Sequence, residues 1–206
     1  SAADLIITVT VYGVVPENEL LTRDAARPGD VIFSTGCLGD SRAGLHLILE
    51  QTPADTPAFA ALLEAHRRPS PHLAEGRFLA GRRGIHAAID VSDGLSSDIG
   101  HIAEESRVGV RLFADRIPLS ENLRAYCRRF GRSPLDYALA GGEDYTLLVT
   151  AAAEAAGGIA QEFEKIFGRK LEAIGAITDG RQIELVEPGG RTRPIAPTGW
   201  DHFKEC

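Results

Sequence analysis

Methionine is absent from this chain of 206 residues, tryptophan occurs once, and there are three cysteines. Cys37, Cys127 and Cys206 lie far apart, with no CxxC pair and no zinc-ligand spacing. That argues against a disulfide framework or a zinc site and fits a reducing, cytoplasmic setting. No apolar run approaches the ~18 residues of a membrane span, and no signal-peptide pattern opens the chain. No membrane partner is therefore expected. Long runs of one charge sign are also missing, and the formal net charge is −7. This balance speaks against a nucleic-acid surface. A polyanionic substrate would need a cation or a local Arg cluster as its partner. The missing Met, with Ser1-Ala2-Ala3 directly before an apolar stretch, gives the expectation of a fragment or processed chain that starts inside a longer protein.

Hydrophobic residues make up 44% and charged residues 25%, an ordinary globular composition. The length suffices for one sizeable core and an appendage. Leu5 to Val15 alternates Ile7, Val9 and Val11 with Thr8 and Thr10, which predicts a strand. A lone terminal strand needs partners from elsewhere. Further strands are expected at Asp30–Thr35, around Ala87–Ile89, and at Val108–Ala114, Tyr145–Thr150, Ala173–Thr178, Ile183–Val186 and Arg193–Ile195. Helices are expected after Ser41 through about Gln51, then at Thr56–Arg68, His72–Ala80, Leu95–Ser106, Ser120–Phe130 and Ala152–Phe167. Pro69-Ser70-Pro71 stops the second of them. Leu95, Ile99, Ile102 and Ala103 form one apolar helical stripe. Strands interleaved with helices imply an α/β (α+β) layered domain. The hairpin-like end points to a mixed rather than an all-parallel sheet.

Three glycine-containing turns carry chemistry. In Asp90-Val91-Ser92-Asp93-Gly94-Leu95, two carboxylates lie three residues apart where a strand ends and a helix begins. A strand end delivers side chains to a fixed point, and a helix start offers free N–H groups. Carboxylates there, on an acidic chain, point to Mg²⁺ and phosphate; the plainer reading is Ser92 or Asp93 as an N-cap. Gly36-Cys37-Leu38-Gly39-Asp40-Ser41 also joins a strand to a helix, but no Lys precedes Ser41, so it is not a Walker loop. A tight turn capped by Asp40 or Ser41 is the expectation there. Gly141-Gly142-Glu143-Asp144 lets backbone approach a ligand closely, and its two acids either bind a cation or solvate a turn. Gly199-Trp200-Asp201-His202-Phe203 is a plug on the core, a tail, or a surface that stacks on a flat or cationic ligand. His46 and His101 fall on helices and read as structural.

Taken in order, these segments resemble the thiamine-monophosphate kinase family. Its superfamily includes aminoimidazole ribonucleotide synthetase, selenophosphate synthetase and a hydrogenase-maturation protein. The resemblance runs from Tyr12-Gly13-Val14-Val15-Pro16 and Leu21-Thr22-Arg23 through Pro28-Gly29-Asp30, Leu38-Gly39-Asp40-Ser41 and Arg68-Pro69-Ser70-Pro71. It continues through Ile89 to His101, Gly141-Gly142-Glu143-Asp144-Tyr145 and Gly199 to Phe203. It implies the C-terminal domain of the aminoimidazole ribonucleotide synthetase-like fold at residues 19–206. Residues 1–18 would be the last strand of a truncated N-terminal ATP-binding domain. The implied activity moves the γ-phosphoryl of ATP onto thiamine monophosphate, giving thiamine diphosphate, in a cytoplasmic homodimer. By resemblance Asp90 and Asp93 match Mg²⁺-binding positions, Arg23 and Ser92 ATP-contacting ones, and Glu143 and Trp200 substrate-binding ones. No side chain need attack covalently, because the substrate phosphate is the nucleophile. Ala25, His72, Ala140 and Thr146 stand where the family often has Gly, Arg, Ser and Glu. This polypeptide alone is expected to be inactive or nearly so. The alternatives are another ATP-dependent enzyme of the superfamily, a non-catalytic module that holds nucleotide or thiamine phosphate, or a structural dimerisation domain.

Overall fold

The computed structural model of the protein describes residues 7–196 and 198. Seven strands form one sheet in the order β2-β4-β1-β5-β3-β6-β7. They are β1 (Val31–Ser34), β2 (Ile85–Asp90), β3 (Gly109–Phe113), β4 (Leu147–Ala151), β5 (Glu172–Thr178), β6 (Ile183–Val186) and β7 (Thr192–Pro194). Every neighbouring pair is antiparallel except β3–β6, which is parallel. The sheet is therefore mixed, as the hairpin-like C-terminal pattern implies.

Strand alternation splits the core into two layers, because successive side chains leave opposite faces. Ile32, Leu148 and Ile174 join the layer under helix α4 (Leu95–Ser106), whose Leu95, Ile99 and Ile102 are fully buried. Phe33 and Val149, the next residues along β1 and β4, join the opposite layer. There they meet Leu79 of α3 (Leu73–Ala80) and Ile159 and Phe163 of α7 (Ala153–Phe167). A third cluster is wholly helical. It packs α1 (Asp40–Leu49), α2 (Pro57–Arg67) and α5 (Glu121–Phe130) around Phe59, Tyr126 and Tyr137.

Helix starts follow local rules in three places. Thr56, Ser120 and Ser133 cap α2, α5 and α6 (Pro134–Ala140) by accepting the N–H of Phe59, Leu123 and Asp136. The α6 helix departs from expectation, since residues 131–138 carry no sequence-predicted element. Its signal is the pair Ser133-Pro134, an N-cap followed by a first-turn proline.

The expected strand at 5–15 is the main correction. Residues 5 and 6 lie outside the described residues, and 7–15 form no strand in this chain. Ile7, Val9, Val11 and Tyr12 are each more than three-quarters exposed, at 76%, 79%, 87% and 94%. An alternating segment becomes a strand only when another edge supplies hydrogen bonds, and among the described residues none does.

Candidate functional site

Two of the three glycine turns meet at one end of the β2–β4 pair. Asp90, the last residue of β2, lies opposite Leu147. Beyond that the pairing continues outside the strands. Val91 donates its N–H to the Thr146 carbonyl at 2.8 Å, Tyr145 to Val91 at 2.9 Å, and Glu143 to Ser92 at 2.9 Å. Segments about fifty positions apart in sequence thus run side by side. Gly142 makes the approach possible, because a Cβ there would collide with the Ser92 carbonyl oxygen.

Next to this seam is a cleft of about 400 Å³. Ser92 and Asp93 form one wall, Gly142 and Glu143 the second, and α1 the third, through Arg42, Leu45, His46 and Leu49. His66 of α2 closes the apolar end, its Nδ1 3.0 Å from Ser41 Oγ. His46 is tied beneath the cleft. Its Nδ1 lies 2.6 Å from the Tyr137 hydroxyl and 2.9 Å from an Arg132 nitrogen. Arginine only donates, so Nδ1 accepts and the ring proton rests on Nε2. Burial, with Arg42 and Arg132 nearby, pushes this imidazole's pKa down.

Carboxylates of the chain itself occupy backbone N–H groups at the start of α1 and in the loop before α4. The first residue of α4 follows Gly94, which has no side-chain cap. Instead Asp98, inside the helix, reaches back and accepts the N–H of Ser92, Asp93 and Gly94 at 3.1, 3.1 and 3.0 Å. Ser92 and Asp93 are therefore not the caps that local pattern allows. Burial pushes the Asp98 carboxyl up to about 6, with Asp93 and Asp90 adding to it and the N–H donors opposing. At α1 the cap position is Gly39, at φ 91°, again with no side-chain cap. Asp40 is instead held by the Ser120 hydroxyl at 2.6 Å. The stopper is Asp144, which accepts the N–H of Gly39 at 2.6 Å and of Ser41 at 3.3 Å. Burial pushes its carboxyl up to about 7, and Asp40 contributes.

Arg42 is the cation in the cleft lining and Asp93 and Glu143 are its carboxylates, while Asp90, at the end of β2, lines a separate depression with Glu19, Leu21 and Gly76. Asp90 is exposed and Asp93 half-buried, and neither carboxylate is taken up by a described hydrogen bond. Carboxylate oxygens are hard donors of the kind Mg²⁺ prefers, so the residues present fit that ion. His101 stands close by: one ligand atom each from Asp93, Asp98 and His101 lie within 4.8 Å of one another. Sequence reasoning gave Asp98 no role, read His101 as structural and left Asp144 between cation ligand and turn, although all three lie inside the quoted motifs.

Arg23 is elsewhere. It pairs with Glu105 of α4 at 3.0 Å and is not part of the cleft lining. Glu143 reaches the cleft in a left-handed conformation, φ 64°, and the Tyr145 hydroxyl donates to its carboxylate at 3.2 Å. Trp200 lies outside the described residues. Thr198, the last described one, lines the cleft and is pinned to Ser96, its N–H and hydroxyl 3.1 and 3.0 Å from Ser96 Oγ.

A sequence profile for the AIR synthase related protein, C-terminal domain, matches residues 27–187. The chain belongs to this family. The β2–α4 and β4 turns, two of the segments that carry the resemblance, fall inside the match. The thiamine-monophosphate kinase of Aquifex aeolicus (strain VF5) is 36% identical over 197 residues, 96% of this chain and 59% of the relative. That of Escherichia coli (strain K12) is 35% identical over 200 residues, 97% of this chain and 60% of the relative. A solved structure of AaThiL complexed with AMPPCP and TMP superposes with a TM-score of 0.75 at 36% identity, covering 89% of this chain and 54% of that one. The chain thus spans about 60% of the length of these curated relatives. Among the described residues no helix is long and apolar enough to cross a membrane.

Proposed function

We propose that this AIR synthase-related domain is the C-terminal part of a kinase that transfers the γ-phosphoryl of ATP to thiamine monophosphate, giving thiamine diphosphate. The observation that carries the reading is the seam that brings Ser92–Asp93 and Gly142–Glu143 to one cleft. The relatives aligned over nearly the whole chain bear the name of that kinase.

Asp90 and Asp93 would hold Mg²⁺, which neutralises the charge of the two polyanions and keeps them in line when bound. Ser92 offers its hydroxyl to ATP. Glu143, steadied by Tyr145, and Trp200 take the thiamine end, whose cationic ring suits a carboxylate and an indole face. Arg23 would reach ATP from the Glu105 pair, outside the cleft. No residue here attacks covalently. The acceptor phosphate is the nucleophile, and the protein's work is positioning and charge balance. The same reading gives residues 1–18 to a preceding ATP-binding domain and residues 19–206 to the C-terminal domain, in a homodimeric, cytoplasmic enzyme. The exposed alternation at 7–15 supports that division.

The test is thiamine diphosphate formation from thiamine monophosphate, ATP and Mg²⁺, with an N-terminal half supplied and Asp93→Asn beside the parent. Product that falls roughly hundredfold or more in the variant is expected. A folded parent that binds ATP and yields no product overturns the substrate assignment, and saturable binding without turnover favours a non-catalytic module.

A further inference from the structure

Asp144, in the glycine-acid turn, is not among the residues that line the cleft, yet it links two of its walls. Its backbone neighbours are pinned to one wall, Glu143 through its N–H to Ser92 and Tyr145 through its N–H to Val91, both at 2.9 Å. Its side chain crosses to another wall and holds the N–H groups of Gly39 and Ser41 at the start of α1. That helix carries Arg42, Leu45, His46 and Leu49 into the cleft. Glu143, on its other side, lines the cleft itself.

The backbone here is strained. Glu143 and Tyr145, on either side of Asp144, have φ of 64° and 50°. Left-handed backbone is uncommon for residues other than glycine and is an outlier for a bulky one. Such conformations persist where surroundings over-determine them, and they gather at functional sites. Here the pair of strained residues lets consecutive side chains part. The Glu143 carboxylate points to the ligand space and the Asp144 carboxylate into the scaffold.

We propose that Asp144 is the positioning residue of this cleft, clamping α1, the 141–145 turn and the 91–94 loop into one arrangement without touching a ligand. The inference that the clamp serves binding rests on the reading of the cleft given above; the clamp itself does not. Asp144→Asn is close to isosteric, so packing survives. It turns an amide NH₂ toward donors that need an acceptor, so at least one of the two bonds is lost.

Two measurements test this. Amide NMR spectra of the chain with and without Asp144→Asn come first. Signals of Ser92, Asp93 and Glu143 are expected to move together with those of Gly39 and Ser41. Movement confined to Gly39 and Ser41 makes Asp144 a local helix cap and overturns the proposal. Should Asp144→Asn fail to fold, Asp144→Glu, which keeps the charge and displaces it by one methylene, gives the same two outcomes. In the product assay, Asp144→Asn is expected to raise the KM for thiamine monophosphate about tenfold, while Asp144→Glu recovers part of it. An unchanged KM overturns the positioning role. A parent that makes no product condemns the functional reading alone, since the three-wall NMR response judges the clamp separately.

Discussion

Of the two carboxylates that fasten backbone beside the cleft, half-buried Asp144 does work at α1 that a helix's own cap residue usually does, while buried Asp98 ties down the loop just before α4. An acid that caps from a distance is more buried than a terminal cap and titrates differently. Asp144 holds its proton up to about pH 7 in the folded chain, against ~3.9 for an ordinary aspartate. Between those values the folded state binds a proton that the unfolded state has released. Its contribution to stability therefore falls as pH rises from about 4 to about 7. His46 and His72, both pushed below their ordinary value mainly by burial, act oppositely: their contribution is lost as pH falls below about 6.5. Comparing parent with Asp144→Asn cancels the histidines. Denaturation at pH 5 and pH 8 should find the parent's advantage over the variant larger at the lower pH; a gap that widens toward pH 8 would refute the assignment. Two departures from the family pattern, His72 and Thr146, look independent in sequence. In the fold both crowd Gly36, and the Thr146 hydroxyl is buried without a hydrogen-bond partner.

At the scale of elements, most boundaries were readable because periodicity and punctuation are local. The α4 stripe and its end at Ser106 match the sequence-predicted span. The α6 helix was missed because its seven residues are too few to show a period, leaving only the Ser133-Pro134 start. Residues 7–15 form no strand here for the opposite reason: their alternation is clear, but pairing is not a local property, and the sequence itself calls for partners from elsewhere. Their side chains are exposed, so they add little to the fold of the rest. Deletion of residues 1–15 should shift the melting temperature by less than about 2 °C. It should also reduce self-association, since an unpaired apolar segment is a pairing hazard. Size-exclusion chromatography and a thermal melt check both, and a large loss of stability would show that the segment packs on this domain.

For the whole molecule, the relevant fact is charge. A chain of net −7 presents a cleft with carboxylates on two walls and Arg42 on the third. The chain's own acids hold the N–H groups of Gly39 and Ser41 at the start of α1 and of Ser92, Asp93 and Gly94 in the loop just before α4. Anionic ligands should therefore depend on divalent cations for their affinity. Calorimetric titration of ATP with Mg²⁺ and then with excess EDTA should show binding weakened roughly tenfold or more once the metal is removed. Equal affinity in both conditions would mean that arginines alone receive the nucleotide.

By itself the sequence determined the mixed α/β class, nearly all the helices and strands, the acidic balance and the motifs that mark the family. Each of these is written in residue order over a few positions. Only the tertiary structure decided that Asp144 serves a helix start 103 residues earlier and that Asp98 holds the N–H groups of the loop before α4. It also decided that Arg23 stands apart from the cleft and that 7–15 finds no strand partner among the described residues. These outcomes turn on which donor meets which acceptor across the fold. Long-range partners are selected by packing and burial, and no local pattern in the chain records them.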